Sequence, residues 1–253
     1  MKQHRIQIPK SKFHSPLTWA YENQYTNVDE FFDFEPKTDS VDARLGYLRS
    51  RSSNYRRGDL ADRLLVSNRE IGAGQKTLEN IQRIREESTF VILTGQQSSL
   101  FAGPLYTIYK TITAIKLAKQ LSQSHDAAFI PVLWSASEDN DIAEMDHLHY
   151  INANHEMIKL KADLQQDGTP AEFVKLNPSV EKILVHLDNE IPDNDFKQSI
   201  LSFCRAYTTN TLGDSFLRFM NKLFGDHGLV FANPFHFRDL NTDILTREAK
   251  HTP

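Results

Sequence analysis

Residues 89–110 read TFVILTGQQSSLFAGPLYTIYK, and the pattern of this stretch predicts the fold class. It opens with a β-branched apolar run, Thr89 to Leu93, and passes through a polar turn into an amphipathic segment that reaches about Ser122. This pattern predicts a strand, a turn and a helix. In open α/β sheets, ligands bind where a strand gives way to a helix, because the helix N-terminal N–H groups and the helix dipole converge there. The turn is therefore the first candidate site.

A second apolar run, Phe129 to Trp134, follows the helix and completes a predicted βαβ crossover. A right-handed crossover makes the two strands parallel neighbours or near neighbours, so their carboxyl ends lie at one edge of the sheet. Apolar residues in the helix recur at spacings of three and four and predict a stripe that faces the sheet. The stripe comprises Leu105, Ile108, Ile112 and Ile115.

The rest of the chain predicts further helices and short strands. Residues 1–88 are predicted to form a mainly helical N-terminal region packed on the core. Residues 89–253 are predicted to form the α/β core, with an inserted connecting region at about 148–210. Strands are expected at about 148–152, 157–160 and 229–232, and helices at about 195–207, 212–224 and 238–250.

The composition is that of an ordinary globular chain, with 253 residues of which 40% are hydrophobic and 25% charged. A formal charge of −4 gives nucleic-acid binding no general electrostatic support. No apolar run approaches the ~20 residues of a membrane span. The single cysteine, Cys204, lies in an apolar helical stretch, where we expect a buried structural thiol. These features favour a cytoplasmic protein with neither nucleic acid nor membrane as partner.

The first motif runs from Gly95 to Lys110 and contains the parts of a binding site. Its spacing matches neither a Walker loop nor a GxGxxG fingerprint. Gln96 and Gln97 offer amide donors and acceptors, Gly103 permits close backbone approach, and the helix start favours an anion. The alternative is that the two glutamines only satisfy backbone groups of the loop.

The second motif follows the second predicted strand and lies at the same edge of the sheet. It contains three carboxylates within four residues, Glu138, Asp139 and Asp141. Carboxylates here can bind an amine, orient a sugar hydroxyl, hold Mg²⁺ or act as a general base. Since no second cluster of ligands supports a metal, we predict no metal site. A solvated acidic loop is the alternative.

With these residues in view, the chain resembles the bacillithiol biosynthesis cysteine-adding enzymes, the BshC family of cysteine ligases. That family carries a Gly-Gln-Gln turn, then Gly-Pro-Leu-Tyr-Thr-Ile and a lysine-bearing helix, which appear here between Gly95 and Lys110. It also carries Trp-x-Ala-x-Glu-Asp-His-Asp at a strand end, which is matched here from Trp134 to Asp141 apart from the histidine.

Two positions depart from the family pattern. Asn140 stands where the family usually has histidine, and Ser99 stands where a glycine often follows the glutamines. If the histidine is a catalytic acid or base, an amide cannot replace it, because an amide exchanges no proton near neutral pH. If the histidine only donates a hydrogen bond to a substrate, Asn140 can substitute.

The resemblance runs from about Phe31 to Leu240 and covers the N-terminal half of a family member. It implies a Rossmann-like, nucleotidyltransferase-type parallel sheet, incomplete in this chain, with a helical N-terminal region. The implied activity joins L-cysteine to glucosaminyl malate in the last step of bacillithiol biosynthesis, with ATP as the expected activator. The resemblance also implies a homodimer through a coiled coil in the missing half.

Two alternatives remain at this point. One is a truncated, non-catalytic or vestigial ligand-binding fragment of the same family. The other is a ligase or nucleotidyltransferase of another pathway that shares the core.

The resemblance and the two motifs together assign roles to individual residues. The catalytic residues are expected to be Glu138, Asp139 and Asp141, which hold the amine-bearing substrate. The substrate-binding residues are expected to be Gly95, Gln96, Gln97, Gly103, Pro104, Tyr106, Lys110 and Ser135.

Overall fold

The computed structural model describes residues 15–37, 40–51, 55–164, 168–242, 246 and 249–250. The chain divides into two compact units, Met1–Tyr55 and Arg56–Pro253. Helices that precede the sheet therefore cluster with it in the larger unit. The division into domains at residue 88 stays a prediction.

In the described residues of the smaller unit, the helices α1 (Pro16–Asn23) and α2 (Val41–Ser50) are separated by a segment that includes short 3₁₀ turns at Tyr25–Asn27 and Asp29–Phe31. Among its described residues Val28 and Leu45 are buried, and half-buried aromatic rings pack against one another. The rings of Tyr21 and Phe32 lie 4.3 Å apart, and the Tyr25 hydroxyl donates a hydrogen bond of 2.6 Å to the Phe32 carbonyl. These contacts close the turns onto α1.

A three-stranded parallel sheet forms the centre of the larger unit. In chain order the strands of this unit are β1 (Thr89–Gln97), β2 (Ala128–Ala136), β3 (His147–Ile151), β4 (Met157–Lys161) and β5 (Val230–Ala232). The parallel sheet has the order β1–β2–β5, and β3 and β4 form a separate antiparallel hairpin. The α/β fold class with a parallel sheet is confirmed.

Seven α-helices with complete bounds in the described part of the larger unit surround these strands. They are α3 (Arg57–Glu70), α4 (Gln75–Arg83), α5 (Leu105–Ser124), α6 (Ile142–Met145), α7 (Pro178–Glu190), α8 (Lys197–Tyr207) and α9 (Leu212–Phe224). None of the helices in the described part of the chain is long and apolar enough to cross a membrane.

The two faces of the parallel sheet belong to two apolar clusters, because successive side chains of a strand point to opposite faces. Ile130 and Val230 face α3 and α4, where they pack with Leu64. Leu133 and Phe231 face the other side, in the cluster that α7, α8 and α9 build. Helices thus cover both faces of the sheet at β2 and β5, as parallel sheets require, whereas Val91 and Leu93 of β1 are 48% and 60% exposed.

Both predicted strands of the crossover are longer than expected. β1 was predicted to end at Leu93, but Gly95, Gln96 and Gln97 continue the ladder by pairing with residues 134–136 of β2. The assignment of these three residues to a turn is therefore wrong. The parallel register overrides their weak strand propensity, since each gains a partner on β2.

The predicted apolar stripe of α5 needs one correction. Ile108, Ile112 and Ile115 pack against the core, but Leu105 is 65% exposed. The fully buried positions of this helix carry smaller side chains at spacings of three and four, and they are Thr107, Thr111, Ala114, Ala118 and Leu121. Small side chains on the inner face allow the helix axis to approach the sheet closely.

The predicted helix at 238–250 differs from the structure at its start. Residues Arg238–Asn241 form a 3₁₀ turn. Residues 242, 246 and 249–250 are helical, in agreement with the prediction, and residues 243–245, 247–248 and 251–253 lie outside the described residues.

Cys204 is buried on α8, as the sequence predicts. It is a free thiol, and burial raises its pKa to about 11. The thiolate is the nucleophilic form of cysteine, so this residue is inert at neutral pH.

Candidate functional site

Polar side chains are buried at the carboxyl ends of all three parallel strands. Ser98 follows β1, Ser135 is the second-last residue of β2, and Asn233 follows β5. Each of the three is at most 1% exposed. The Ser98 and Ser135 hydroxyls are hydrogen-bonded at 2.8 Å, which ties the ends of β1 and β2 together. Polar burial at one edge of a parallel sheet marks the position where such sheets bind ligands.

Lys110 is fixed against the end of β1. Its ammonium donates hydrogen bonds to the Gly95 carbonyl at 2.8 Å and to Gln96 Oε1 at 2.9 Å, and it lies 4.8 Å from the centre of the Tyr106 ring. Burial lowers the pKa of Lys110. An ammonium has three N–H donors. Among the described residues the third has no partner, so this cation is positioned to contact an anionic ligand.

Gln97 joins the first motif to the second. Its Nε2 donates to Asp139 Oδ2 at 2.7 Å and to Glu144 Oε2 at 2.8 Å. The backbone N–H of Asp141 and then the Gln97 amide lower the pKa of Asp139, so that carboxylate is ionised at neutral pH. Gln96 and Gln97 thus contact charged side chains, and not the loop backbone that the alternative interpretation gave them.

Within the described residues the three predicted catalytic carboxylates share no side-chain partner. Asp139 meets Gln97, whereas the exposed carboxylates of Glu138 and Asp141 make no hydrogen bond or ion pair with any side chain that the structure describes. Asn140, which replaces the family histidine, is also exposed. In the described ranges no group of three or more histidine, cysteine, aspartate or glutamate side chains could hold a metal ion.

The loop before α5 has an unusual backbone. Phe101, Ala102 and Gly103 all have positive φ, at 51°, 73° and 70°. A Cβ on Gly103 would lie 2.9 Å from the Ser99 Cβ, so only glycine fits this close approach. Strain of this kind concentrates at ligand-binding loops.

The start of α5 has unsatisfied polar groups. Pro104 is its N-cap and supplies no side-chain cap. In the described structure the N–H groups of Leu105 and Tyr106 have no backbone acceptor. The Thr107 hydroxyl is fully buried and also has no hydrogen-bond partner among the residues that the structure describes. Free N–H groups at a helix start, with Lys110 one turn further on, form the elements of an anion site.

Sequence reasoning missed a second network at this edge, which joins Ser137, Glu172 and Asn233. Ser137 Oγ donates to Asn233 Oδ1 at 2.8 Å, and Asn233 Nδ2 donates to Glu172 Oε2 at 2.8 Å. The position of Asn233, directly after a predicted strand, was the available signal. The sequence carries no comparable signal for Glu172, because its segment reaches the edge only through the tertiary fold.

A parallel sheet with helices on both faces and polar ligand-type side chains at its carboxyl edge defines a Rossmann-like α/β domain. The family model described as "Bacillithiol biosynthesis BshC, N-terminal Rossmann-like domain" matches residues 1–253. The chain belongs to this family.

Curated relatives carry the same family name. The chain is 37% identical over 192 residues to a protein of Salinibacter ruber named "Putative cysteine ligase BshC", an alignment that covers 74% of this chain and 34% of that protein. It is 30% identical over 226 residues to a Bacillus cytotoxicus protein of the same name, which covers 87% of this chain and 41% of the relative. The chain therefore spans about two-fifths or less of the length of these relatives.

Proposed function

We propose that the chain forms the N-terminal, Rossmann-like part of a cysteine ligase that joins L-cysteine to glucosaminyl malate in the last step of bacillithiol biosynthesis. The relatives' name, cysteine ligase, supports the reaction class. The observation that carries the proposal is the pairing of opposite charges at one edge: the Lys110 ammonium at the end of β1, and the Asp139 carboxylate that Gln97 connects to the same strand.

The cationic side of the site is proposed to bind an anion. Lys110, the free N–H groups of Leu105 and Tyr106, and the Thr107 hydroxyl fit a phosphate or a carboxylate. Because Gly103 has no side chain, the anion can come close to the backbone of the loop before α5. When it is bound, ATP would supply the activation that turns a free carboxylate into an acylating group. Pro104 sets the direction of the helix start.

The anionic side is proposed to bind the amine-bearing substrate. Asp139 is ionised at neutral pH and is fixed by Gln97, so it can hold an ammonium group through a charge-assisted hydrogen bond. Glu138 and Asp141 flank it in an exposed loop and add negative charge. Ser135, whose hydroxyl is hydrogen-bonded to that of Ser98, is proposed to line the site between its cationic and anionic sides.

The proposal extends to the cellular setting. It includes a cytoplasmic location, and a homodimer formed in longer family members through a coiled coil. Nucleic acid and membrane are not part of it.

The test compares Gln97→Ala with Gln120→Ala, an exposed glutamine at the far end of α5. The purified variants are titrated with glucosaminyl malate by calorimetry, and the equivalent variants of a full-length relative are assayed for the cysteine adduct by mass spectrometry with cysteine and ATP. We expect Gln97→Ala to weaken binding at least about tenfold, which is about 1.4 kcal/mol, and to abolish ligation.

Gln120→Ala should behave as wild type in both assays. Ligation at the normal rate by Gln97→Ala would remove the assignment of Gln97. Failure of the wild-type chain to bind any substrate would favour the vestigial fragment.

A further inference from the structure

Glu172 lies at the carboxyl ends of β2 and β5, although it comes from the connecting region far along the chain. The backbone N–H of Glu172 donates to the Ser137 carbonyl at 3.0 Å, and that of Ala171 donates to the Asp139 carbonyl at 2.9 Å. These two bonds hold the segment against the second motif. Glu172 is thus a neighbour of Asp139 in space.

Asn233 fixes the orientation of the Glu172 carboxylate. Asn233 Oδ1 accepts from the backbone N–H of Phe235 at 3.1 Å and from Ser137 Oγ at 2.8 Å. Since a backbone N–H can only donate, this face of the amide must be the oxygen. The Nδ2 group therefore faces Glu172 Oε2, to which it donates at 2.8 Å. Asn233 is 1% exposed, so it has no freedom to turn away.

The backbone of α9 is also shaped around this carboxylate. A Cβ on Gly213, in the first turn of α9, would lie 2.5 Å from Glu172 Oε2 and 2.9 Å from the Glu172 Cα. Glycine is the residue that leaves room. The N-terminal end of a helix also favours a negative charge.

The negative charge of Glu172 is not balanced within the described part of the chain. There, no lysine, arginine or histidine lies within ion-pair distance of it, and its second oxygen has no hydrogen-bond partner. Arg238 stacks on the Phe235 ring at 4.6 Å instead. Partly burying an unpaired carboxylate is unfavourable, whereas a glutamine of the same shape would avoid that cost. A fixed and unpaired carboxylate is suited to an external cation.

We propose that Glu172 is a further substrate-binding residue that receives the ammonium group of a small primary amine, and that Asn233 is the residue that positions it. The inference rests on the proposed function and adds a second carboxylate to the amine side of the site. The rings of Phe173 and Phe235 pack 5.0 Å apart beside Glu172, and Phe173 is 55% exposed. Aromatic faces attract ammonium groups, which suits the same ligand class.

The test uses pairs of ligands that differ only in the amine. Glucosaminyl malate is compared with its N-acetyl derivative, and L-cysteine with 3-mercaptopropionate, which lacks the amine. Each is titrated into wild type, Glu172→Gln, Asn233→Leu and the control Glu86→Gln, whose exposed side chain lies on another surface. The two pairs show which substrate supplies the ammonium group.

Wild type and Glu86→Gln should bind one amine at least about tenfold more tightly than its amine-free partner. Glu172→Gln keeps the acceptor for Asn233 and should lose this preference while binding the amine-free ligand unchanged. Asn233→Leu removes the donor that orients Glu172 without adding charge and should also weaken the preference, with a melting temperature recorded to confirm that it folds.

Unchanged amine preference in Glu172→Gln would overturn the inference alone and leave the proposed function in place. A loss that is equal for amine and amine-free ligands would overturn it too, because a merely structural role predicts that pattern. Absence of binding by wild type would overturn the proposed function and the inference together. The Gln97→Ala variant separates these cases, since it tests the proposed function without touching Glu172.

Discussion

The carboxyl edge of the sheet and the helical layer of α7, α8 and α9 both contain side chains that are almost inaccessible to solvent. These side chains are polar at the edge and apolar in the helical layer. In the helical layer, Leu184 and Phe216 are at most 1% exposed; at the edge, Ser135, Ser137 and Asn233 are equally inaccessible. Apolar burial stabilises a fold by about 25 cal/mol per Å², whereas a buried hydrogen bond contributes only about 1 kcal/mol net. The helical layer therefore supports the fold, whereas the edge fixes polar side chains in place and gains less stability from their burial.

The sharpest test of this contrast is Phe216→Ala in α9. Removing a fully buried phenylalanine leaves a cavity, and we expect the free energy of unfolding to fall by about 3–5 kcal/mol. Urea denaturation measures it. Ser137→Ala at the edge is the comparison and should cost about 1–3 kcal/mol, since it leaves Asn233 with one donor fewer. A cost for Phe216→Ala no larger than that for Ser137→Ala would break the contrast.

Because of Cys204, we expect the free energy of unfolding to depend on pH in the alkaline range. Its pKa is about 11 in the folded protein, against 9.0 for an unperturbed thiol. The folded state thus holds the proton more tightly, so this stabilisation is complete below pH 9 and is lost as the pH rises to 11. Two pKa units correspond to about 3 kcal/mol.

The measurement is the difference in unfolding free energy between wild type and Cys204→Ala, followed by urea denaturation from about pH 8 to about pH 11. Subtracting the variant removes the titration of other groups. The difference should shrink by about 2–3 kcal/mol in favour of the variant. A difference that stays constant over this range would show that the thiol is not sheltered from water.

At the edge, Gly103→Ala tests whether the loop before α5 is held rigidly in its positive-φ conformation. The φ of 70° and ψ of −151° are nearly exclusive to glycine, and the new Cβ would meet Ser99, so we expect a loss of about 2 kcal/mol in stability. Gly74→Ala is the matched control, because φ there is −73° and no atom lies within 4 Å of the added Cβ. Thermal melts of both compare them; equal melting temperatures would mean that the loop relaxes.

The smallest effect is expected from the surface of the helical layer. Glu181 and Arg205 form an ion pair of 2.9 Å between α7 and α8, with side chains 55% and 36% exposed. Exposed pairs contribute little because water and salt screen them, so Glu181→Gln should change stability by less than about 1 kcal/mol. Stability is measured by denaturant unfolding at low and high salt. A larger change would show that this ion pair contributes substantially to the stability of the helical layer.

Much of the fold follows from local patterns in the sequence. The βαβ crossover is encoded by two apolar runs and a helical period, and α9 was predicted with the bounds that the structure shows, Leu212–Phe224. Strand ends were less accessible to prediction. Gly95, Gln96 and Gln97 have no strand propensity of their own and extend β1 only because β2 lies beside them.

The candidate site divides in the same way. The contact between Gln97 and Asp139 could be predicted because each follows an apolar run, and parallel strands bring such positions to one edge. Glu172 lies in a loop with no periodic pattern, and its arrival at that edge depends on backbone bonds to Ser137. Interactions set by tertiary geometry leave no local signal in a single sequence.

The order of the strands also has a consequence for how the chain reaches this structure. β1 and β2 are joined by a single helix, but β5 pairs with β2 through Val132 and Val230, about 100 residues apart. Closing a longer loop costs more chain entropy, although the cost grows slowly with length, and distant parallel pairing is slow to form. We therefore expect the crossover to fold early and Asn233 to arrive late. The polar network around Glu172 would then be among the last parts of the molecule to assemble.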